Sequence, residues 1–388
     1  MNRRRFVYNA TLGTLHLGLA RGAFAQPAAS RLKDLRIDLH TPRTPSSPLG
    51  MPGLFPGRVV DVFHSDAIVR RRVSETAVRA MVDAGMKALT GESAARDGWA
   101  RFFVPHDIVA IKVNPSGVPG TVTSMPLVRE VIRALIAIGV PAKNLIVYDR
   151  RSNQLEVNGY HALVQPGVRV VGLDQRWDVE GTTRGGYDPT AYCEMDCFGE
   201  RETRSYLASI VTKEATKIVN LPCLKEHNAS GVTGCLKNLA YGSFNNVDRT
   251  HDSPKTFTDP IIAVMCSAEP LRHKSVLHIM DGLRAVYHSG PFAWNPDFVW
   301  EAKTLLFGTD PVAVDRIELE IVEAKRRELG VPPLTDRNPA SIGTTADMSR
   351  TAHKNPHYRE PGHIKTAAEL GLGKSELADI DRRRVRVG

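Results

Sequence analysis

Short runs of unbroken apolar character, separated by helical patterns, constrain this chain more than any other feature. They are Asp107–Val113 (DIVAIKV), Asn144–Tyr148 (NLIVY), Gly167–Leu173, Lys217–Leu221, Lys274–Met280 (KSVLHIM) and Lys303–Phe307 (KTLLF). A half-exposed strand alternates apolar and polar residues, whereas a strand covered on both faces does not. Val59–His64 reads as a further strand before them. Ser74–Ala88 has apolar residues at helical spacing (Ala77, Met81, Val82, Gly85), with Ser74 as N-cap. Thr123–Gly139 is an amphipathic helix, and Val312–Leu329 is a long helix directly after the last strand. The expected fold class is α/β, a largely parallel sheet with helices on both faces. Asp174–Tyr206 has no clear period and reads as an inserted loop or subdomain near the site.

The ends divide off. Arg3-Arg4-Arg5-Phe6-Val7 resembles a twin-arginine export signal, Ala10–Ala20 is weakly apolar, and Ala23-Phe24-Ala25 is an A-x-A cleavage site. The expected division is a signal peptide over 1–25, an extended Pro/Ser/Gly-rich arm over 26–58, a single α/β domain over 59–375 and a basic tail over 376–388. The expected location is the periplasm or another exported compartment, with the twin-arginine translocase as partner during export. The apolar stretch of the leader is too short and too mixed to be a stable membrane anchor. Part of the net charge of +9 lies in the leader and in Arg382–Arg386. Aromatics are not interleaved with basic runs, so no nucleic-acid partner is expected. The five Cys include no C-x-x-C pair, so neither a zinc knuckle nor an iron–sulfur cluster is expected.

Candidate site residues collect after the strands. Lys112 and Asn114 follow DIVAI, Asp149 follows LIVY, Lys225 and His227 follow KIVNL, and Asp281 follows VLHIM. In a parallel sheet these ends share one edge, where ligands bind. A lone Asp after a strand is more often a helix cap. That reading is strong for Asp310, where Asp-Pro-Val opens a helix, and fair for Asp149. Pro222 breaks the Lys217 strand, so Lys225 and His227 are expected on irregular backbone. A Gly/Thr loop, Asn228–Cys235, then leads to Lys237-Asn238. Alone, that pair would be a surface Lys and a turn Asn; beside Lys225 and His227 it reads equally well as part of the site. A Lys held next to another cation has a depressed pKa and can act as a base. The loop Asn245–His251 contributes Asn246 and His251, and a Gly-Pro turn after Tyr287 could hold His288 at the mouth. Asp149 and Asp281 are candidate ligands for a divalent metal, with no spacing specific to one. His278 reads as a core histidine, and His353, His357 and His363, whose spacing resembles no standard zinc site, read as surface ones. No Walker loop, G-x-G-x-x-G or G-x-S-x-G is present.

The segments IKVNP (111–115), LPCLKEH (221–227), VTGCLKNLAYG (232–242), NNVDRTH (245–251), HIMDGL (278–283), HSGP (288–291) and TDPVAVD (309–315) resemble the domain of unknown function 362 family. The chain is similar to the twin-arginine-exported, single-domain branch of that family. The resemblance runs from about Arg58 to Gly373. It names no reaction. The residues suit an enzyme acting on a small anionic ligand bearing a carboxylate or phosphate. In that reading Lys225, His227, Lys237 and His251 are catalytic, while Lys112, Asn114, Asn238, Asn246 and His288 bind substrate, with metal assistance through Asp149 and Asp281 left open. The alternative is a periplasmic metal- or anion-binding protein that uses the same residues without turnover.

Overall fold

The computed structural model describes residues 5–6, 36–117, 120–163, 165–174, 185–197, 199, 202–251, 256–336, 338–341 and 360–388. The leader, apart from Arg5–Phe6, and its cleavage site lie outside the described residues, as do His353 and His357. The apolar runs assemble as expected into one mixed sheet of 11 strands. Its backbone order is Asp381–Val387, Arg58–His64, Thr304–Gly308, Ser275–Val286, Lys217–Asn220, Val109–Lys112, Leu145–Arg151 and Arg169–Asp174. Neighbours in this order pair in parallel except around Thr304–Gly308, which is antiparallel to both of its neighbours. Short strands at Cys223–His227, Gly231–Val232 and Val299–Trp300 complete the sheet.

The sheet divides two cores, and the period of two along each strand decides which side chain enters which. Val109, Ile111, Leu145 and Val147 face the helices Glu75–Thr90 and Met125–Ala137. Ala110, Ile146 and Tyr148 face the helices Gly234–Ser243, Thr258–Cys266 and Pro311–Glu328. Ser74 caps the first helix, accepting from the Ala77 N–H at 3.3 Å. Among the described residues no helix is long and apolar enough to cross a membrane.

Several expectations change. The basic tail is part of the fold, because Asp381–Val387 pairs with Arg58–His64 along its whole length as the sheet's edge strand. The arm contributes Ile37–His40, which joins Tyr187–Met195 and Arg204–Ala208 in a second, antiparallel sheet; the inserted segment is thus a small sheet built partly from the arm. Met51, also in the arm, is buried and donates its N–H to the Arg272 carbonyl at 2.8 Å. Because Thr304–Gly308 runs backwards, Asp310 emerges at the opposite edge from the other strand ends. There it caps the Pro311 helix through the Ala313 N–H (2.9 Å) and ties down Gly57 and Lys374.

Candidate functional site

Two short elements carry the central residues. Beyond Pro222 the chain does not become irregular: Cys223–His227 forms a strand that continues the sheet, pairing with the distal half of Ser275–Val286. Lys225 and His227, two apart, point to the same side of it. The chain then returns through Gly231–Val232 and enters the helix Gly234–Ser243, every residue of which is buried. Its start is fixed by acids from the Pro311 helix. Asp315 accepts the N–H groups of Cys235 (2.5 Å) and Leu236 (3.0 Å), and Glu318 accepts the N–H of Lys225 (2.9 Å). Gly234 has φ +63° there, and a Cβ on it would overlap the Asp315 carboxylate. Lys237 and Asn238 therefore lie in the first turns of a buried helix, not on the expected loop.

Asn238 organises the floor. Its Oδ1 accepts from Lys112 Nζ and from Asn114 Nδ2, both at 3.1 Å, and its Nδ2 donates to Asn220 Oδ1 at 2.7 Å. Asn220 in turn reaches His278 Nδ1 at 3.2 Å, leaving His278 Nε2 without a partner among the described residues. Lys112 also donates to the Val113 carbonyl (2.5 Å) and to Asp149. Lys225 Nζ donates to Asn114 Oδ1 at 2.9 Å. Lys237 Nζ makes no hydrogen bond to any described residue and lies 5.2 Å from the centre of the Tyr241 ring. Burial lowers the pKa of all three amines; Asp149 opposes the shift at Lys112, while at Lys237 the neighbouring Lys225 pushes it further down.

The two imidazoles take opposite hydrogen-bonding states. His227 Nδ1 accepts the Ala229 N–H at 3.0 Å, so the neutral ring carries its proton on Nε2. His251 Nδ1 lies 3.1 Å from the Val247 carbonyl and must donate to it, which leaves the lone pair on Nε2. The ring centres are 5.4 Å apart. Burial, reinforced by Lys237, holds His227 well below its usual pKa and brings His251 down to about 3. Both rings are therefore neutral at pH 7, one a donor and the other an acceptor.

These groups surround a cavity of about 550 Å³. Of the residues expected at the site, Asn114, Asp149, Lys225, His227, Lys237, Asn238 and His251 line it. Lys112 lies behind Asp149 and Asn238 as their support. Three expected residues are elsewhere. Asn246 holds the inserted hairpin, donating to the carbonyls of Glu202 (3.1 Å) and Arg204 (3.0 Å). His288 is buried against Phe298 and accepts from Arg326 at 3.2 Å; its neighbours Ser289, Gly290 and Pro291 reach the cavity instead. Asp281 does not end its strand, which runs on to Val286. Its carboxylate accepts the N–H groups of Ser124 (2.8 Å) and Leu283 (3.0 Å), anchoring the entry to the Met125 helix. Asp149 is instead paired with Lys112, and among the described residues no three His, Cys, Asp or Glu side chains group so as to hold a metal ion.

The sequence reading missed part of the wall. Arg150 and Arg151 line the cavity and pair with Asp248 at 2.9 and 2.7 Å. Phe292 and Trp294 stack on each other at 5.0 Å, with Trp294 77% exposed. His363, read as a surface residue, is fully buried, with neither ring nitrogen bonded to a described residue.

The family described as "Domain of unknown function (DUF362)" matches residues 109–320, more than half of the chain. The chain belongs to this family. The match is narrower than the resemblance read from the motifs, yet it contains every residue named above as lining the cavity. No curated protein matches the chain in sequence. Among solved structures it is similar to a Thermotoga maritima protein determined as a structural-genomics target, with TM-score 0.38 and 10% identity. That similarity covers 66% of this chain and 59% of the other.

Proposed function

We propose that the cavity of this DUF362 protein binds a small anion and moves a proton on it, with His251 as the base and the Nε2–H of His227 as the hydrogen-bond donor that stabilises the charge formed. The observation that carries this reading is the opposite anchoring of two adjacent neutral imidazoles, one presenting N–H and the other a lone pair. Lys225 supplies positive charge, and Arg150 and Arg151, although paired with Asp248, line the cavity with guanidinium N–H groups suited to a carboxylate or phosphate. Acid–base groups must be in the correct protonation state at working pH, and here burial sets that state for both rings.

The test has two parts. Thermal melting with acetate, lactate, pyruvate, phosphate and sulfate reads anion binding, since a ligand that binds only the folded state raises the melting temperature. Exchange of substrate C–H protons in D2O, followed by NMR for the same organic acids, reads proton transfer. The expected outcome is an anion-dependent rise in melting temperature together with exchange that His251→Gln abolishes. Anion binding without exchange would leave a binding protein that does not turn over. No stabilisation by any anion would overturn the site itself.

We also propose that the chain is exported by the twin-arginine route and belongs to the exported, single-domain branch of the family. The support is the Arg3-Arg4-Arg5-Phe6 run followed by Ala23-Phe24-Ala25.

A further inference from the structure

We propose that Lys237 is a carbonyl-reactive amine, and that the ligand of this cavity carries an aldehyde or ketone group beside its anionic group, as a 2-oxo acid does. The inference rests on the anion-site reading above and names the substrate class for it. The three buried lysines differ in their partners. Lys112 donates to the Val113 carbonyl, Asp149 and Asn238. Lys225 donates to Asn114. Lys237 is buried, lines the cavity, and donates to no described residue. The groups acting on it are Lys225 and Arg150, which oppose its charge, and Asp248, which favours it but is already paired with both Arg150 and Arg151. An ammonium in that position would be buried without an acceptor among the described residues; a neutral amine is not penalised in this way.

A neutral amine is a poor anion binder, and Lys225, Arg150 and Arg151 already provide charge. It is also redundant as a base, because His251 offers a lone pair. What it adds is nucleophilicity, the usual consequence of holding a lysine desolvated beside another cation. In the step proposed, the Lys237 nitrogen lone pair forms a bond to the carbonyl carbon. The C=O π pair moves to oxygen, which the Nε2–H of His227 holds by a hydrogen bond without giving up its proton. The proton released from nitrogen passes to His251 Nε2 and from there to that oxygen, giving a neutral carbinolamine. The nitrogen lone pair then expels the hydroxyl group, which takes a proton from solvent and leaves as water, giving the iminium; where the adjacent carbon carries a C–H, as in pyruvate, His251 removes that proton and a neutral enamine results. No oxidant or reductant is required.

The parent protein is incubated near pH 7 with glyoxylate or pyruvate and sodium cyanoborohydride, and modified lysines are mapped by mass spectrometry. Lys237 should acquire the reduced adduct at least about tenfold faster than the exposed Lys87 and Lys143, because ordinary lysines are almost wholly protonated at that pH. Added phosphate should slow labelling of Lys237 and leave Lys87 unaffected. Labelling of Lys87 and Lys143 as fast as Lys237, or no adduct on Lys237 with either probe, overturns the proposal. If Lys237 stays unlabelled in a protein that phosphate or lactate stabilises against heat, the carbonyl assignment falls and the acid–base reading stands. If Lys237 labels selectively while no anion stabilises the protein, the anion reading falls and the reactive lysine stands.

Discussion

Gly242 offers the sharpest test of how the cavity floor is built. It lies in the buried helix that carries Lys237, and a Cβ placed on it would overlap Cε and Nζ of Lys112 and stand 3.2 Å from Oδ2 of Asp149. A flexible lysine on the surface would swing aside. Lys112 cannot do so, because it is fully buried and its ammonium serves three acceptors. Gly242→Ala should therefore force Lys112 off Asp149. Breaking a buried ion pair costs about 3–5 kcal/mol, and Ala for Gly inside a helix returns about 1 kcal/mol, leaving a net loss of about 2–4 kcal/mol. The same substitution in a Lys112→Ala, Asp149→Asn background meets neither the lysine tail nor an orphaned carboxylate. There it should be neutral or stabilising by up to about 1 kcal/mol. Urea unfolding of parent, Gly242→Ala, the Lys112→Ala/Asp149→Asn protein and the combination closes the cycle, read as shifts in midpoint at constant slope. An equal cost in both backgrounds would show that the glycine is required by the helix backbone and not by the Lys112–Asp149 pair.

Lys225→Met keeps side-chain volume while removing a buried cation, so the melting temperature should hold or rise and the shift induced by phosphate or carboxylates should vanish; a retained shift would move the anion site elsewhere. Lys225→Ala should instead cost about 2–5 kcal/mol in urea unfolding, because it opens a cavity in the sheet. Burial holds His363 down at about 3, against 6.5 for an ordinary histidine. A pKa lowered by folding contributes stability that is present above the unfolded value and lost as pH falls toward the folded one. His363→Leu should therefore gain on the parent as pH drops from about 7 to about 4.5, read as a widening gap in urea midpoints, and a constant gap would refute it. Arg3→Lys with Arg4→Lys should leave the precursor in the cytoplasm, measured by fractionation; export that continues but stops when the general secretory route is blocked would show that the leader was misread.

The apolar strands were legible because burial on both faces leaves no polar alternation. The caps at Ser74 and Asp310 were legible because their side chains follow local rules. Strand direction was not. Lys-Thr-Leu-Leu-Phe reads the same whether it runs with its neighbours or against them, so the edge of the sheet at which Asp310 emerges was not legible. Asp281 shows a related ambiguity, since a carboxylate after an apolar run can serve a ligand or a backbone N–H. Only the approach of Ser124 and Leu283 decides it. The edge strand Asp381–Val387 carries arginines because an edge needs charge to discourage further pairing, and that same charge made it read as a tail. Arg150 and Arg151 carried a usable signal: two arginines continuing directly from a strand whose end was already a candidate. Their partner Asp248 lies far along the chain in a loop that was read for its amides.

Lys112, Lys225 and Lys237 point toward a common interior with decreasing numbers of acceptors, and that gradient gives the site its direction. The most fully bonded amine is farthest from the cavity, behind Asp149 and Asn238. Lys225 shares the Asn114 amide and faces the space. Lys237, with no acceptor among the described residues, stands on the buried helix Gly234–Ser243. Placing further charge beside Lys237 raises the cost of protonating it, so Lys225 and Arg150 both attract an incoming anion and keep Lys237 neutral. Arrival of the anion changes that balance. A carboxylate on Lys225 screens its charge and makes a cation at Lys237 less costly, which is the condition that favours an iminium there. Binding and reactivity are then coupled through the same pair of side chains. Lys225→Met, by removing the charge that keeps Lys237 neutral, should slow labelling of Lys237 by glyoxylate even though it leaves the amine physically accessible. Faster labelling in that variant would mean that Lys225 only obstructs the cavity, and the electrostatic account of the gradient would have to be abandoned.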